Sequence, residues 1–494
     1  MNKRALILLL SIAAMALVLR LAGIQSRPIW YDEAFSILLA QQGPSAILNG
    51  TLATDTNASA AEEHPPAYYF ALWGWMQLFG NSLTSARLLS VLFSLGTITL
   101  VYLITNHLFN PSTAWVAALF TSILPFQVHF GVEIRMYMML AFWLTLATYT
   151  LLKRQWILFS LAAALAQYTH NLAAIYLIPL ALTPVFQRDW KTLRSLTLAG
   201  VGSLILYSPW LMQLPAQISK VTSSFWVEKP GIEKIFTLIL MYLPHLPLPG
   251  YLLPVGLLFA TLVIALAAFQ TYRARKDISG NSNKGLWLAY LSFAPPLFLW
   301  MVSQISPIYV ERALLPAHAI FCIWLAWAFT QTKLPQPVQV FTLCLILIAS
   351  GMGVYQHITY RGFPYTSPAL TQNLNSKLQQ GDVVIHSSKL SYLPAFYFSP
   401  ELPQIFIADP ANSSVDTLSP ATQKILNLKS IESIESGAEN SDRIWFIIYQ
   451  QSIEEFSQAG KNHPHLEYLD QNFELEMFEK WGDLNLYLYK RSSE

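Results

Sequence analysis

Charge is scarce in this chain of 494 residues: Asp, Glu, Lys and Arg make up 12% of it, against 54% hydrophobic residues. Soluble domains carry about a quarter charged residues, so an ordinary soluble enzyme is excluded. The net charge of +2 is too small to imply a nucleic-acid partner. Cysteine is nearly absent. Cys322 and Cys344 both lie in apolar runs, which excludes a disulfide framework and reads them as core residues. No glycine-rich loop of the kind that cradles a nucleotide stands out, and no internal repeat is evident.

What the chain has instead is apolar runs of roughly 18 to 20 residues, the length that crosses ~30 Å of hydrocarbon. Hydropathy gives about eleven spans. They lie near 5–22, 84–108, 112–129, 134–152, 156–169, 171–186, 195–213, 251–270, 286–303, 313–330 and 337–356. Met1-Asn2-Lys3-Arg4 ahead of an apolar run has the opening of a signal peptide. The run continues to about Leu21 with no small-x-small cleavage site, so it reads as an uncleaved first helix.

Orientation follows from lysine and arginine. Lys3-Arg4, Lys153-Arg154, Arg188, Lys191, Arg194, Arg273, Arg275, Lys276, Lys284 and Lys333 fall in short connections on one side, which the positive-inside rule makes cytoplasmic. The other side receives the long 23–83 loop and everything after about 357. Counting 232–249 as a span would turn the basic 271–284 loop outward, so that segment reads as a helix lying in the outer interface.

Beyond 357 the composition changes. Asp382–His386, Gln404–Ala408 and Arg443–Tyr449 have the length and β-branched content of buried strands, and Leu484–Tyr489 alternates. The polar stretches 368–379 and 451–460 read as helices. The expected fold is a polytopic α-helical membrane domain over 1–356, its first outer loop 23–83 carrying the chemistry, followed by an extracytoplasmic α/β domain over 357–494.

In so apolar a chain, ionisable residues at the membrane surface need a reason. Asp32 and Glu33 follow Trp30-Tyr31. Helix capping accounts for one acid at the start of a helix near Ala34, but not for two. A carboxylate where water thins out suits a general base. At the far end of the loop, Pro65-Pro66 holds the chain extended ahead of an aromatic helix over 67–79. Before it, Glu63 and His64 suit a divalent metal or an acceptor contact, and two ligands do not choose between these.

Glu133-Ile134-Arg135-Met136-Tyr137 and Glu311-Arg312 place two arginines at outer helix ends. A guanidinium binds phosphate oxygens bidentately; the plain alternative is an internal salt bridge. His170, in Thr169-His170-Asn171, is a candidate contact or a structural histidine. Acids that activate a hydroxyl, beside arginines that hold a phosphate at the bilayer surface, point to a lipid phosphate. A transporter or lipid flippase is the alternative. Transporters place ionisable residues near mid-bilayer, whereas the cores of these spans are nearly free of charge.

These motifs resemble the GT-C membrane glycosyltransferases. The likeness is strongest to the bacterial branch of the dolichyl-phosphate-mannose–protein mannosyltransferase family, with the lipid A aminoarabinose transferases as relatives. It rests on Trp30–Ala34, His64–Tyr69, Leu78–Ser82, Ala86–Ser90, Glu133–Tyr137, Tyr168–His170 and Tyr309–Pro316, and spans about residues 1–330. Ala313 stands where the relatives usually have Tyr. The resemblance implies transfer of one sugar from a polyprenyl-phosphate carrier to a glycan, lipid or protein acceptor outside the cytoplasm, with inversion and with a divalent metal taking part or assisting. Asp32 would be the base and Glu33 its helper. Arg135 and Arg312 would bind the donor phosphate, and Tyr31, His64, Tyr137 and His170 would contact donor or acceptor. A bacterial inner membrane, with the C-terminal domain on the periplasmic side, is the expected location.

Overall fold

The computed structural model describes residues 3–25, 27–51, 64–215, 227–274, 281–332, 334–359, 368–410, 413, 415, 418–439 and 441–491. It divides into two compact units: Met1–Ile24 with His64–Thr359, and Gln25–Glu63 with Tyr360–Glu494. Most of the outer loop that the sequence reading assigns to the membrane domain therefore belongs with the C-terminal residues.

The first unit is helical, and each of the eleven apolar stretches contains a helix. Five of these helices are long and apolar enough to cross a membrane: Leu83–Leu108, Gly250–Ala274, Asn283–Ser303, Glu311–Thr330 and Gln336–Thr359. The longest has 26 residues, or ~39 Å at 1.5 Å per residue. Leu10–Leu21, Tyr137–Leu152, Trp156–Thr169 and Ala173–Phe186 are apolar but shorter. The expected interfacial segment forms the helix Glu233–Tyr242; ten residues reach only ~15 Å and cannot span.

The unit is layered. The helix Leu315–Thr330 is buried almost throughout, whereas Gly250–Ala274 turns Leu257, Leu258, Leu262 and Phe269 outward. Outward-facing leucine and phenylalanine on a peripheral helix suit lipid rather than water. Cys344 is exposed on the peripheral helix Gln336–Thr359, which corrects its reading as core; Cys322 is buried. Close approach of helices sets one glycine: a methyl on Gly285 would fall 2.3 Å from the Trp327 ring. Hydroxyls inside the bundle bond back to the carbonyl one turn earlier, as Thr105 to Val101, Thr145 to Ala141 and Ser292 to Leu288. That arrangement gives each of these hydroxyl protons an acceptor in apolar surroundings.

Two arginines tie the first helix, Lys3–Leu21, to the rest. Arg20 is 1% exposed and donates to Ser94 Oγ at 2.6 Å, Ser122 O at 3.0 Å and Ala16 O at 3.1 Å. The carbonyls it reaches are partly free because the expected 112–129 span breaks at Leu124, into Pro111–Ile123 and Pro125–Phe130. Arg87, fully buried, donates to Ile24 O at 2.6 Å.

The second unit contains a six-stranded sheet: β1 Val383–His386, β2 Gln404–Ile407, β3 Ser430–Ile431, β4 Arg443–Tyr449, β5 Phe473–Trp481 and β6 Leu484–Arg491, in the order β3-β2-β1-β4-β6-β5. β3, β2, β1 and β4 run parallel; β6 and β5 close the edge antiparallel. The sequence reading finds β1, β2, β4 and β6 but neither the two-residue β3 nor β5. The period-two alternation of β5, Phe473-Glu474-Leu475-Glu476, is plain in the sequence. Helices Pro368–Lys377 and Gln450–Gln458 form where polar helices are expected.

Candidate functional site

In the second unit, the acid pair sits on the helix Tyr31–Gln41, with Trp30 at its N-cap. The helix starts at Tyr31 rather than near Ala34, so Asp32 and Glu33 both lie in its first turn, where the helix dipole favours negative charge. Their environments differ. Glu33 is fully buried and Asp32 only partly, so Asp32 is the more accessible carboxylate of the two. Tyr31 opens the same turn and its ring lies 6.4 Å from that of Phe35. Glu63 lies outside the described residues.

In the first unit, the remaining predicted residues gather. Glu133 and Arg135 occupy the non-helical turn ahead of Tyr137–Leu152, closed by a bond from Arg135 N to Glu133 O at 2.8 Å. Ser90 Oγ donates to the same carbonyl at 2.5 Å. Glu133 is paired with Arg312 at 3.6 Å, and the Arg312 guanidinium lies 4.9 Å above the Tyr137 ring. Arg135, 5% exposed, donates from Nη1 to Tyr69 Oη at 3.3 Å. Glu311 bonds Lys234 at 2.7 Å.

His170 completes the cluster. It caps Trp156–Thr169 in the connection to the next helix, its ring 4.7 Å from His64 and 5.6 Å from Tyr137. Its Nδ1 accepts from Leu172 N at 3.0 Å, which leaves the proton of the neutral ring on Nε2. Burial, and then the charges of His64, Arg135 and Arg312, hold its pKa well below the usual histidine value. Nε2 is buried with no hydrogen-bond partner among the described residues. A neutral N–H donor thus lies in the electrostatic reach of two guanidinium groups, a set suited to an anion.

Two further features escaped the sequence reading. Tyr69, the partner of Arg135, looks in sequence like one more aromatic of an apolar helix. His129, His245 and His357 come together, with 3.0 Å between the Nδ1 atoms of His129 and His357 and 4.9 Å between the rings of His129 and His245. No spacing in the chain announces residues so far apart. Among the described residues, no three His, Cys, Asp or Glu side chains are arranged to hold a metal ion.

Residues 63–212 match the family model of dolichyl-phosphate-mannose-protein mannosyltransferases. The chain also superposes on ArnT from Cupriavidus metallidurans with a TM-score of 0.64, at 14% identity, covering 97% of each chain. The fold is that of a GT-C glycosyltransferase.

The structure of ArnT bound to undecaprenyl phosphate gives the same TM-score of 0.64, at 13% identity and with 97% of each chain covered. A more distant GT-C likeness is the Archaeoglobus fulgidus oligosaccharyltransferase AglB, in complex with an inhibitory peptide and a dolichol-phosphate. Its TM-score is 0.52 at 10% identity, covering 99% of this chain and 74% of that one. No curated protein matches the sequence. The matched family segment holds His64, Tyr69, Glu133, Arg135, Tyr137 and His170, and the apolar helices support a multi-pass membrane protein.

Proposed function

We propose that the protein transfers a single sugar from a polyprenyl-phosphate donor to an acceptor at the outer face of the membrane, inverting the anomeric carbon. The observation that carries this reading is the anion-suited cluster of Arg135, Arg312 and His170, within or beside the segment matching the mannosyltransferase family. ArnT, the like-folded protein, has been captured with undecaprenyl phosphate.

In this reading Asp32 takes the proton of the acceptor hydroxyl as its oxygen attacks the anomeric carbon. The bond from that carbon to the phosphate oxygen breaks, and its electron pair leaves with the polyprenyl phosphate. The departing phosphate gains negative charge, which Arg135 and Arg312 offset and which the His170 Nε2–H can bond. Glu33 orients the first turn of the Asp32 helix from its buried position. Tyr31, His64 and Tyr137 contact donor or acceptor. Of the proposed metal pair, His64 alone lies among the described residues, and the arginines and His170 account for the charge at the leaving group. The proposed setting is a bacterial inner membrane with the C-terminal unit in the periplasm.

A transporter would use ionisable groups within its spans. Arg20, buried in the first helix, is such a group, but its N–H donors are committed to Ser94 and to backbone carbonyls. It is a structural tie.

The test is a transfer assay in membranes with a panel of radiolabelled polyprenyl-phosphate sugars, with Asp32→Asn alongside. Label consumed from one donor and retained in the variant's donor pool supports the reading and names the sugar. Folded wild-type protein that consumes none of them, with or without divalent metal, returns the case to the transporter.

A further inference from the structure

An eleven-residue helix is too short to be stable alone in water, yet Asp32 sits on one. In Tyr31–Gln41, every residue from Glu33 to Ala40 is buried. Eight successive buried positions cover all faces of a helix with 3.6 residues per turn. Tertiary contacts therefore fix where the first turn lies.

Within its own unit, those contacts come from the C-terminal residues. The helix Lys389–Phe398 packs along Tyr31–Gln41, and Pro420–Leu426 packs on both Tyr31–Gln41 and Pro44–Thr51. Gly50 marks a close approach: a methyl there would lie 3.1 Å from Leu39 Cδ1 and 3.9 Å from Ile425 Cδ1. Glycine at this position lets the two loop helices and the helix Pro420–Leu426 close on one another.

Lys389–Phe398 is itself fastened to the sheet. Ser388 caps it by accepting from Leu390 N. Lys389, almost fully buried, pairs with Asp409 at 2.5 Å just beyond β2 and donates to Val415 O. His386, at the end of β1, bonds Ser391 at 3.1 Å. Tyr392 packs on Phe406 of β2 at 4.8 Å and accepts from Lys429 N at 3.3 Å. Open α/β sheets bind ligands beyond the carboxyl ends of their parallel strands. Here the ends of β1 and β2 are engaged in holding this helix.

We infer that the C-terminal α/β residues are a positioning element for the acid pair. The sheet fixes Lys389–Phe398, that helix and Pro420–Leu426 fix the loop helices, and the loop helices set Asp32. Leu39, Gly50 and Ile425 are positioning residues, acting through the helix rather than on substrate. The inference rests on the proposed role of Asp32 as base, and it assigns the C-terminal unit to the proton-accepting half of the reaction.

The test uses the full-length protein. Gly50→Leu wedges the loop helices from Pro420–Leu426, Ile425→Ala empties their contact, and Ile425→Val restores most of it. The turnover number at saturating donor, the donor KM, polyprenyl-phosphate affinity and the melting temperature are measured for each. Misplacing a catalytic group by about an ångström costs on the order of 10²-fold in rate. Gly50→Leu is expected to lower kcat by that factor and Ile425→Ala by about 10-fold. Donor KM and lipid-phosphate affinity should hold, and Ile425→Val should recover the rate. Unchanged kcat in folded Gly50→Leu or Ile425→Ala overturns the inference. So does a parallel fall of kcat, donor affinity and melting temperature, which marks general damage. If Gly50→Leu does not fold, the Ile425 pair decides. Asp32→Asn separates the two claims: full turnover there removes the base itself, whereas a dead Asp32→Asn beside normal Gly50→Leu and Ile425→Ala removes only the positioning role.

Discussion

Glu133 and Arg312, far apart in the chain, meet at 3.6 Å with Glu133 3% exposed. The ion pair aims a guanidinium that also stacks on Tyr137, so its planar fork matters as well as its charge. Arg312→Lys keeps the charge and loses the fork and the stack. Donor KM is expected to rise about 10-fold, one charge-assisted hydrogen bond's worth. Initial rates against donor concentration check it, and an unchanged KM would leave Arg312 a purely structural partner of Glu133.

Asp32→Asn should leave the melting temperature unchanged and lower turnover at least ~10²-fold, the usual contribution of a positioned base. Glu33→Gln, at a fully buried site, should instead lower the melting temperature more than the rate. Comparing kcat and melting of the two variants assigns the roles; the reverse pattern would exchange them.

Arg135→Ala should raise donor KM with little change in kcat at saturation. The hydrogen bond to Tyr69 at 3.3 Å provides the control. Tyr69→Phe removes that bond and keeps the guanidinium, so a KM rise in both variants would show that Tyr69 orients Arg135, and a rise in Arg135→Ala alone would assign Arg135 to phosphate contact.

His386, fully buried in β1, has its pKa pushed down by burial from 6.5 to about 3. Between those values the unfolded chain binds a proton that the folded chain does not, so stability falls as pH drops below about 6.5. His463, lowered to about 4, acts with the same sign. Melting temperature should therefore fall between pH 7 and pH 5. His386→Gln should reduce that fall without abolishing it; an identical fall in the variant would mean that His386 does not contribute.

Arg20→Met keeps the stem within the bundle and removes the donors to Ser94, Ala16 and Ser122. Carbonyls at the Leu124 break then lose their partners. A loss of at least about 2 kcal/mol is expected, read as earlier thermal unfolding in detergent. Unchanged unfolding would show that the break satisfies itself.

Much of this was legible in the chain. Apolar runs long enough for a bilayer predict the helices, because hydrocarbon offers backbone groups no partner but the helix itself. Pro65-Pro66 predicts the helix Ala67–Phe79 to the residue. The sequence also draws attention to Asp32, Glu33, His64, Arg135, His170 and Arg312, because charge at a membrane surface is costly without a use, and their roles are part of the proposal. The break at Leu124 went unread because Ser-Ile-Leu-Pro-Phe is as apolar as the spans around it, although Pro125 turns the residue before it away from helix.

Partnership is what tertiary structure decided. Sequence offers Glu133 to Arg135 and Glu311 to Arg312 as neighbours; the fold gives Glu133 to Arg312, Glu311 to Lys234 and Tyr69 to Arg135. Sequence also attaches the first outer loop to the membrane helices it follows, whereas its helices Tyr31–Gln41 and Pro44–Thr51 pack with helices of the C-terminal residues. Local pattern fixes which segments are helical and which side chains are chemically able. Which of them meet depends on contacts between residues hundreds of positions apart, and those are chosen by burial of the whole chain at once.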